Sequence, residues 1–269
     1  MPVQTKLHPV AVVLLLAVLG GCNATRPDQA DASPEPVDSI GRMVDLGDGV
    51  AARGEPETAL AIYERALAKA PTHRGALLGK GRALTDLGRH AEAERTLREA
   101  RDRHPDSGLV LAAYARLLIG TGRAEIAVSE LDNYLGTHPL GDDGLWNLKG
   151  LALDTLRRHA DAEQAYAQGL ARTPQSVSLR NNLAYSLILQ GEYARAADVL
   201  QGLIDTEGGQ PRHRQNLALA YGLAGNDRRA REVARVDLQG DAIERNLAYY
   251  QWLRELPSPT RYQALLRRP

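Results

Sequence analysis

Few side chains in this sequence have types and spacings that could do chemistry. Cys22 is the single cysteine of 269 residues. It stands directly behind Leu19-Gly20-Gly21, and Val10 to Leu19 is an unbroken apolar run with Lys6 ahead of it. Those small residues leave the room a signal peptidase needs, so Cys22 is the candidate for covalent modification. A second set is non-covalent: Asn147, Asn181 and Gln215 recur 34 residues apart. An amide offers one acceptor and two donors, matching both edges of an extended peptide backbone. The remaining polar residues argue against catalysis. His73, His104 and His138 fall at one set of chain turns, and His90 and His159 at another, so exposed turn positions explain them better than bases or metal ligands. No histidine pair has the i, i+4 spacing of a metal site, and Gly208-Gly209 lacks the Lys-Ser/Thr of a phosphate loop. Glu92, Glu94, Glu99 and Asp102 lie among arginines as solvated helix faces. The reading is non-enzymatic, with no cofactor, no metal and no small-molecule substrate.

The elements that must position these groups are legible from small residues. Ala59, Ala93, Ala127, Ala162, Ala196 and Ala230 are separated by 34, 34, 35, 34 and 34 residues. Twelve positions upstream of each stands Gly or Ala; five positions upstream stand Gly54, Gly88, Gly122, Arg157, Gly191 and Gly225. Pro71, Pro105, Pro139 and Pro174 follow the first four alanines by twelve positions. Two antiparallel helices approach closely only where side chains are small, the turn glycine tolerates a left-handed cap, and proline stops the second helix. A period of about 34 residues is the tetratricopeptide signature. The fold predicted is an all-α, right-handed superhelical solenoid. Its repeats run over 40–73, 74–107, 108–141, 143–176, 177–210 and 211–240, with one extra residue near Asp142. A capping helix over 241–256 follows, opened by an Asp241/Glu244 capping box, and a tail over 257–269 forms a short helical turn or stays loose.

Residues 1–21 read as a signal peptide, because the apolar run is about half the roughly 20 residues of a membrane-spanning helix. The segment resembles a bacterial lipoprotein signal, which implies that Cys22 carries the lipid and becomes the mature N-terminus. Asn23 in place of the aspartate of inner-membrane retention favours the outer membrane, facing the periplasm. Residues 22–39, with Pro27, Pro34 and Pro36, read as a flexible tether. The formal net charge of +0 gives no argument for nucleic acid.

In a tetratricopeptide solenoid the first helix of each pair lines the concave face. Its groove positions here give Arg116 and Ile119, then Asn147, Leu151 and Asp154, then Asn181, Tyr185 and Ile188, then Arg212, Gln215 and Leu219. The amides and Tyr185 form the candidate peptide groove; Asn182 and Asn216, also in register, are alternative bridges between helices. Trp146 reads as packing. The run Arg214-Gln215-Asn216-Leu217-Ala218-Leu219-Ala220-Tyr221, then Val236-Asp237-Leu238 and Asn246-Leu247-Ala248-Tyr249-Tyr250, resembles the C-terminal part of the Flp (tight-adherence) pilus assembly lipoprotein family, TadD. The resemblance implies an adaptor in assembly of the pilus secretion apparatus, with the secretin as protein partner and a lipid anchor in the membrane. Two alternatives stay open: a pilotin-like lipoprotein for another type IV pilus or secretion secretin, and a periplasmic scaffold recruiting cell-wall enzymes.

Overall fold

Among the described residues each repeat hairpin is closed by a residue of positive φ. Gly54, Gly88, Gly122, Gly191 and Gly225 all have positive φ at the equivalent turn. The computed structural model describes residues 36–138 and 143–266. The signal-like segment, Cys22 and the tether as far as residue 35 lie outside the described residues, as do Pro139 and Asp142. Fourteen helices and no strand are present among the described residues. They are α1 (Pro36–Ala52), α2 (Pro56–Lys69), α3 (Arg74–Asp86), α4 (His90–Arg103), α5 (Gly108–Gly120), α6 (Ala124–Thr137) and α7 (Asp143–Thr155). There follow α8 (His159–Arg172), α9 (Val177–Gln190), α10 (Tyr193–Glu207), α11 (Pro211–Leu223), α12 (Asp227–Ala234), α13 (Asp241–Glu255) and α14 (Ser258–Leu266).

Consecutive helices pair from α1·α2 to α11·α12, and each odd-numbered helix also touches the next odd one, so α1 to α13 form a continuous inner row. The six marker alanines are all 0% exposed, which places each second helix against its first at the closest point. Large side chains from the second helices fill the gaps between pairs. The Tyr63 ring lies between Gly47 of α1 and Gly79 of α3; a Cβ on either glycine would stand 2.6 or 2.3 Å from it. Tyr166 meets Gly150 in the same way at 2.3 Å. Smallness on one helix therefore sets the depth to which an aromatic of the next can sink. Helices α2, α4 and α8 end two residues before Pro71, Pro105 and Pro174.

Three features depart from the sequence expectation. Helix α1 begins at Pro36, inside the stretch assigned to the tether. The Asp241/Glu244 capping box does not form: the cap of α13 is Gly240, with no side-chain bond, and Glu244 instead pairs with Arg231. A capping box does occur at α11, between Gln210 and His213. Burial first, with Arg212 and Arg214 beside it, pushes the His213 imidazole below its usual range, and its Nδ1 accepts the Gln210 N–H at 3.1 Å. The tail forms a real helix, α14, with Tyr262 and Leu265 buried.

Candidate binding face

From α7 to α11 side-chain amides join neighbouring inner helices. Asn216 of α11 donates to Oδ1 of Asn181 at 3.1 Å, Asn181 donates to Asn182 at 3.2 Å, and Asn182 donates to Asn147 of α7 at 3.0 Å. This amide ladder crosses three inner helices and fixes the orientation of each member. Asn147 and Asn181 are thus joined through the bridging residues, all four half-buried, while Gln215 is exposed one position before Asn216. The ladder also ties helices together, so its members are structural as well as surface groups.

Several expected groove positions lie elsewhere. Ile188 and Leu219 are buried in the core. Asp154 is also buried, and its carboxyl oxygens take the Ser186 hydroxyl at 2.7 Å, the Tyr166 hydroxyl at 2.9 Å and Nδ1 of His159 at 2.7 Å. Burial, with Asp154 adjacent, holds the Tyr166 hydroxyl well above the usual phenol range, so it remains a donor. His159 is consequently not an exposed turn residue; its side chain is only 13% accessible. Repeat spacing places it in a turn and carries no information about the single carboxyl beneath it. Ser186 donates to Asp154, not to His159, so the cluster is a packing hub rather than a nucleophile–base pair.

Tyr185 lies half-buried on α9 and is engaged within the chain. Its hydroxyl donates to the Leu265 carbonyl of α14 at 2.9 Å, and that of Tyr249 on α13 reaches the Ala264 carbonyl at 3.5 Å. Arg261 donates to the carbonyls of Leu253, Arg254 and Leu256 and to the Tyr193 hydroxyl, holding the other end of α14. Tyr262 sits beneath the Arg157 guanidinium, 4.4 Å from ring centroid to carbon, and against the His159 ring at 5.5 Å. Among the described residues Arg157 is the one non-glycine residue with positive φ, 61°, at the turn where the other repeats carry glycine.

Around the ladder, ion pairs join separate elements. Arg214 clamps Asp237 at 2.6 Å, Arg254 of α13 clamps Asp227 of α12 at 2.7 Å, and Arg231 pairs with Glu244. Trp146 is half-buried and covered by Lys149 and Arg172, at 5.2 and 5.0 Å from its ring. Among the described residues no three His, Cys, Asp or Glu side chains converge as metal ligands, and no helix is long and apolar enough to cross a membrane.

These elements define a class: a solenoid of helical hairpins with an inner row specialised over its second half. The chain belongs to the tetratricopeptide-repeat family. One profile of that repeat matches residues 50–117 and 87–151, and a second matches 147–211. The uncharacterized protein y4yS of Sinorhizobium fredii is 32% identical over 111 residues, 41% of this chain and 60% of that protein, so the chain spans three-fifths of that relative's length. Among solved structures, PilW, a widely conserved type IV pilus biogenesis factor, is similar over 74% of this chain and 91% of its own, at 22% identity and a TM-score of 0.66. Pseudomonas aeruginosa PilF is similar over 86% and 97%, at 19% identity and a TM-score of 0.62. At these identities the likeness is one of fold. Solenoids of this kind present extended concave surfaces to protein partners.

Proposed function

We propose that the chain is a non-enzymatic, lipid-anchored adaptor of the outer membrane, facing the periplasm, that helps assemble the secretion apparatus of Flp pili. Its inner face from α7 to α11 binds a protein partner, with the secretin as the client to test first. The observation that carries the binding reading is the amide ladder. Asn147 and Asn181 are held in fixed orientations on adjacent inner helices with Gln215 exposed beyond them, so part of the ordering cost of binding is already met. The resemblance of Arg214 to Tyr250 to the TadD family supports the pilus assignment. A pilotin-like role for another type IV pilus is the second reading, favoured by the fold likeness to PilW and PilF.

The test is binding of the purified periplasmic part of the secretin encoded in the same genome. Replacing Asn147, Asn181 and Gln215 with Ala is expected to lower affinity tenfold or more, since each lost hydrogen bond costs about 0.5–1.5 kcal/mol. Melting measured in parallel separates lost contacts from a loosened ladder. Unchanged affinity refutes the groove. Normal surface piliation after deletion of the gene refutes the pilus role, and equal membrane retention of Cys22→Ser refutes the lipid anchor.

A further inference from the structure

We propose that the surface formed by the α7–α8 turn, α9 and α13 is a receptor for the C-terminal end of a short amphipathic helix, that α14 is its resident occupant, and that a partner's helix competes with α14 for it. The proposal rests on the reading of the inner face as a binding surface and names the partner element that surface takes.

The chemistry of the contact is that of a helix terminus. The last four carbonyls of an α-helix have no partner within the helix. In α14 two of those four, on Ala264 and Leu265, are met by tyrosine hydroxyls supplied from α13 and α9. Tyr262 and Leu265, three residues apart and hence on one face, are the buried anchors. Leu266 on the other side is 51% exposed. A partner helix fits the same site when it presents an aromatic and a leucine at i, i+3 followed within a residue or two by its own end. It needs no particular sequence elsewhere.

Two observations set how firmly the occupant is held, the first favouring its release and the second its docking. A nine-residue helix is far below the length that is stable alone in water, so α14 persists only while docked. Its largest anchor rests on Arg157, which holds a left-handed conformation that costs an arginine but not a glycine. The turn is therefore built for the contact with Tyr262 at the expense of its own backbone. In the wild-type chain α14 competes as an intramolecular ligand, whose effective concentration over a short connection is on the order of millimolar.

The experiment uses the full-length chain in detergent and a fluorescent synthetic peptide of residues 257–266. The Tyr262→Ser/Leu265→Ser chain, its own helix loosened, is expected to bind the peptide at least tenfold more tightly than wild type. A peptide carrying the same two serines is expected not to bind. In a second measurement, Arg157→Gly is expected to speed amide exchange over residues 258–266 at least threefold without lowering the melting temperature. Equal peptide affinity of wild type and the double variant, with native melting in both, overturns the proposal. So does unchanged exchange in Arg157→Gly. Either failure leaves the ladder reading standing, because that is read on the secretin with α14 untouched.

Discussion

The two halves of this solenoid are built from the same repeat but held together differently. In α1 to α6 the hairpin turns are glycines in the left-handed region, and the core interlock is steric, with Tyr63 pressed between Gly47 and Gly79 and Leu97 against Gly81; the ion pairs Arg101–Glu130 and Arg123–Glu94 join helices outside that core. In α7 to α14 the same frame, with its own rings on Gly150 and Gly222, adds a buried carboxyl hub, an amide ladder and a helix folded back on the inner face. Regular repeats need only shape, because each unit meets a near-copy of itself. Departures from regularity are where side chains make contacts that belong to one place only, and here they gather on one stretch of the inner row.

The largest expected effect tests that contrast directly. Asp154→Ala leaves the buried Ser186 and Tyr166 hydroxyls and the largely covered His159 ring without their acceptor and is expected to cost about 3–5 kcal/mol, at about 1–3 for each buried donor left unsatisfied. Asp48→Ala, which strips the Tyr63 hydroxyl of its partner at 2.5 Å on an exposed carboxylate, is expected to cost about 1 kcal/mol. Equal losses in denaturant titrations would erase the distinction between the halves. Next, Ala127→Leu overpacks a 0% exposed helix contact and is expected to destabilise by about 1–3 kcal/mol, against less than about 0.5 for Glu125→Leu on the exposed face.

A smaller effect comes from exchanging turn residues between the halves. Gly122→Arg is expected to lose about 1–2 kcal/mol to left-handed strain, with no tyrosine above it to compensate. Arg157→Gly is expected to be near neutral, the relieved strain offsetting a lost cation–π contact of about 0.5–1 kcal/mol. The smallest effect is acid sensitivity. Hydrogen bonds from Arg254, Arg214 and Arg231 hold the carboxyls of Asp227, Asp237 and Glu244 below their usual range. A carboxyl lowered in the folded state contributes stability above its unfolded pKa, and that contribution is lost as pH falls through the folded value. Acidification below about pH 4 is therefore expected to raise amide exchange in α12 and α13 more than in α5 and α6.

Whatever repeats in this molecule was legible from its sequence. The alanines, turn glycines and prolines located every hairpin, because helix contacts recur with the chain and leave a period behind. The place of Asn147, Asn181 and Tyr185 on the first helices of their hairpins followed from the same register. The contacts made once were not legible. Asp154 fell on a groove position, yet turns inward because Tyr166, Ser186 and His159 converge there from three other places in the sequence. Asn182 and Asn216 make the bridges, which register leaves as one of two options because it cannot say which of two adjacent amides faces its neighbour. The docking of α14 joins residues 80 apart, at Tyr185 and Leu265, and no spacing rule connects them.

That separation also bears on the order in which the molecule assembles. A stack of hairpins forms contacts as fast as its segments appear, since each meets only its neighbours. The closure from α14 to α9 is different. Bringing together groups 80 residues apart carries a loop-closure cost that nearest-neighbour stacking does not. Once α10 to α13 have folded between them, most of that cost is already met, so docking comes after the repeats are in place. During synthesis α14 emerges behind every repeat, and for that interval the finished stack stands with its inner face uncovered.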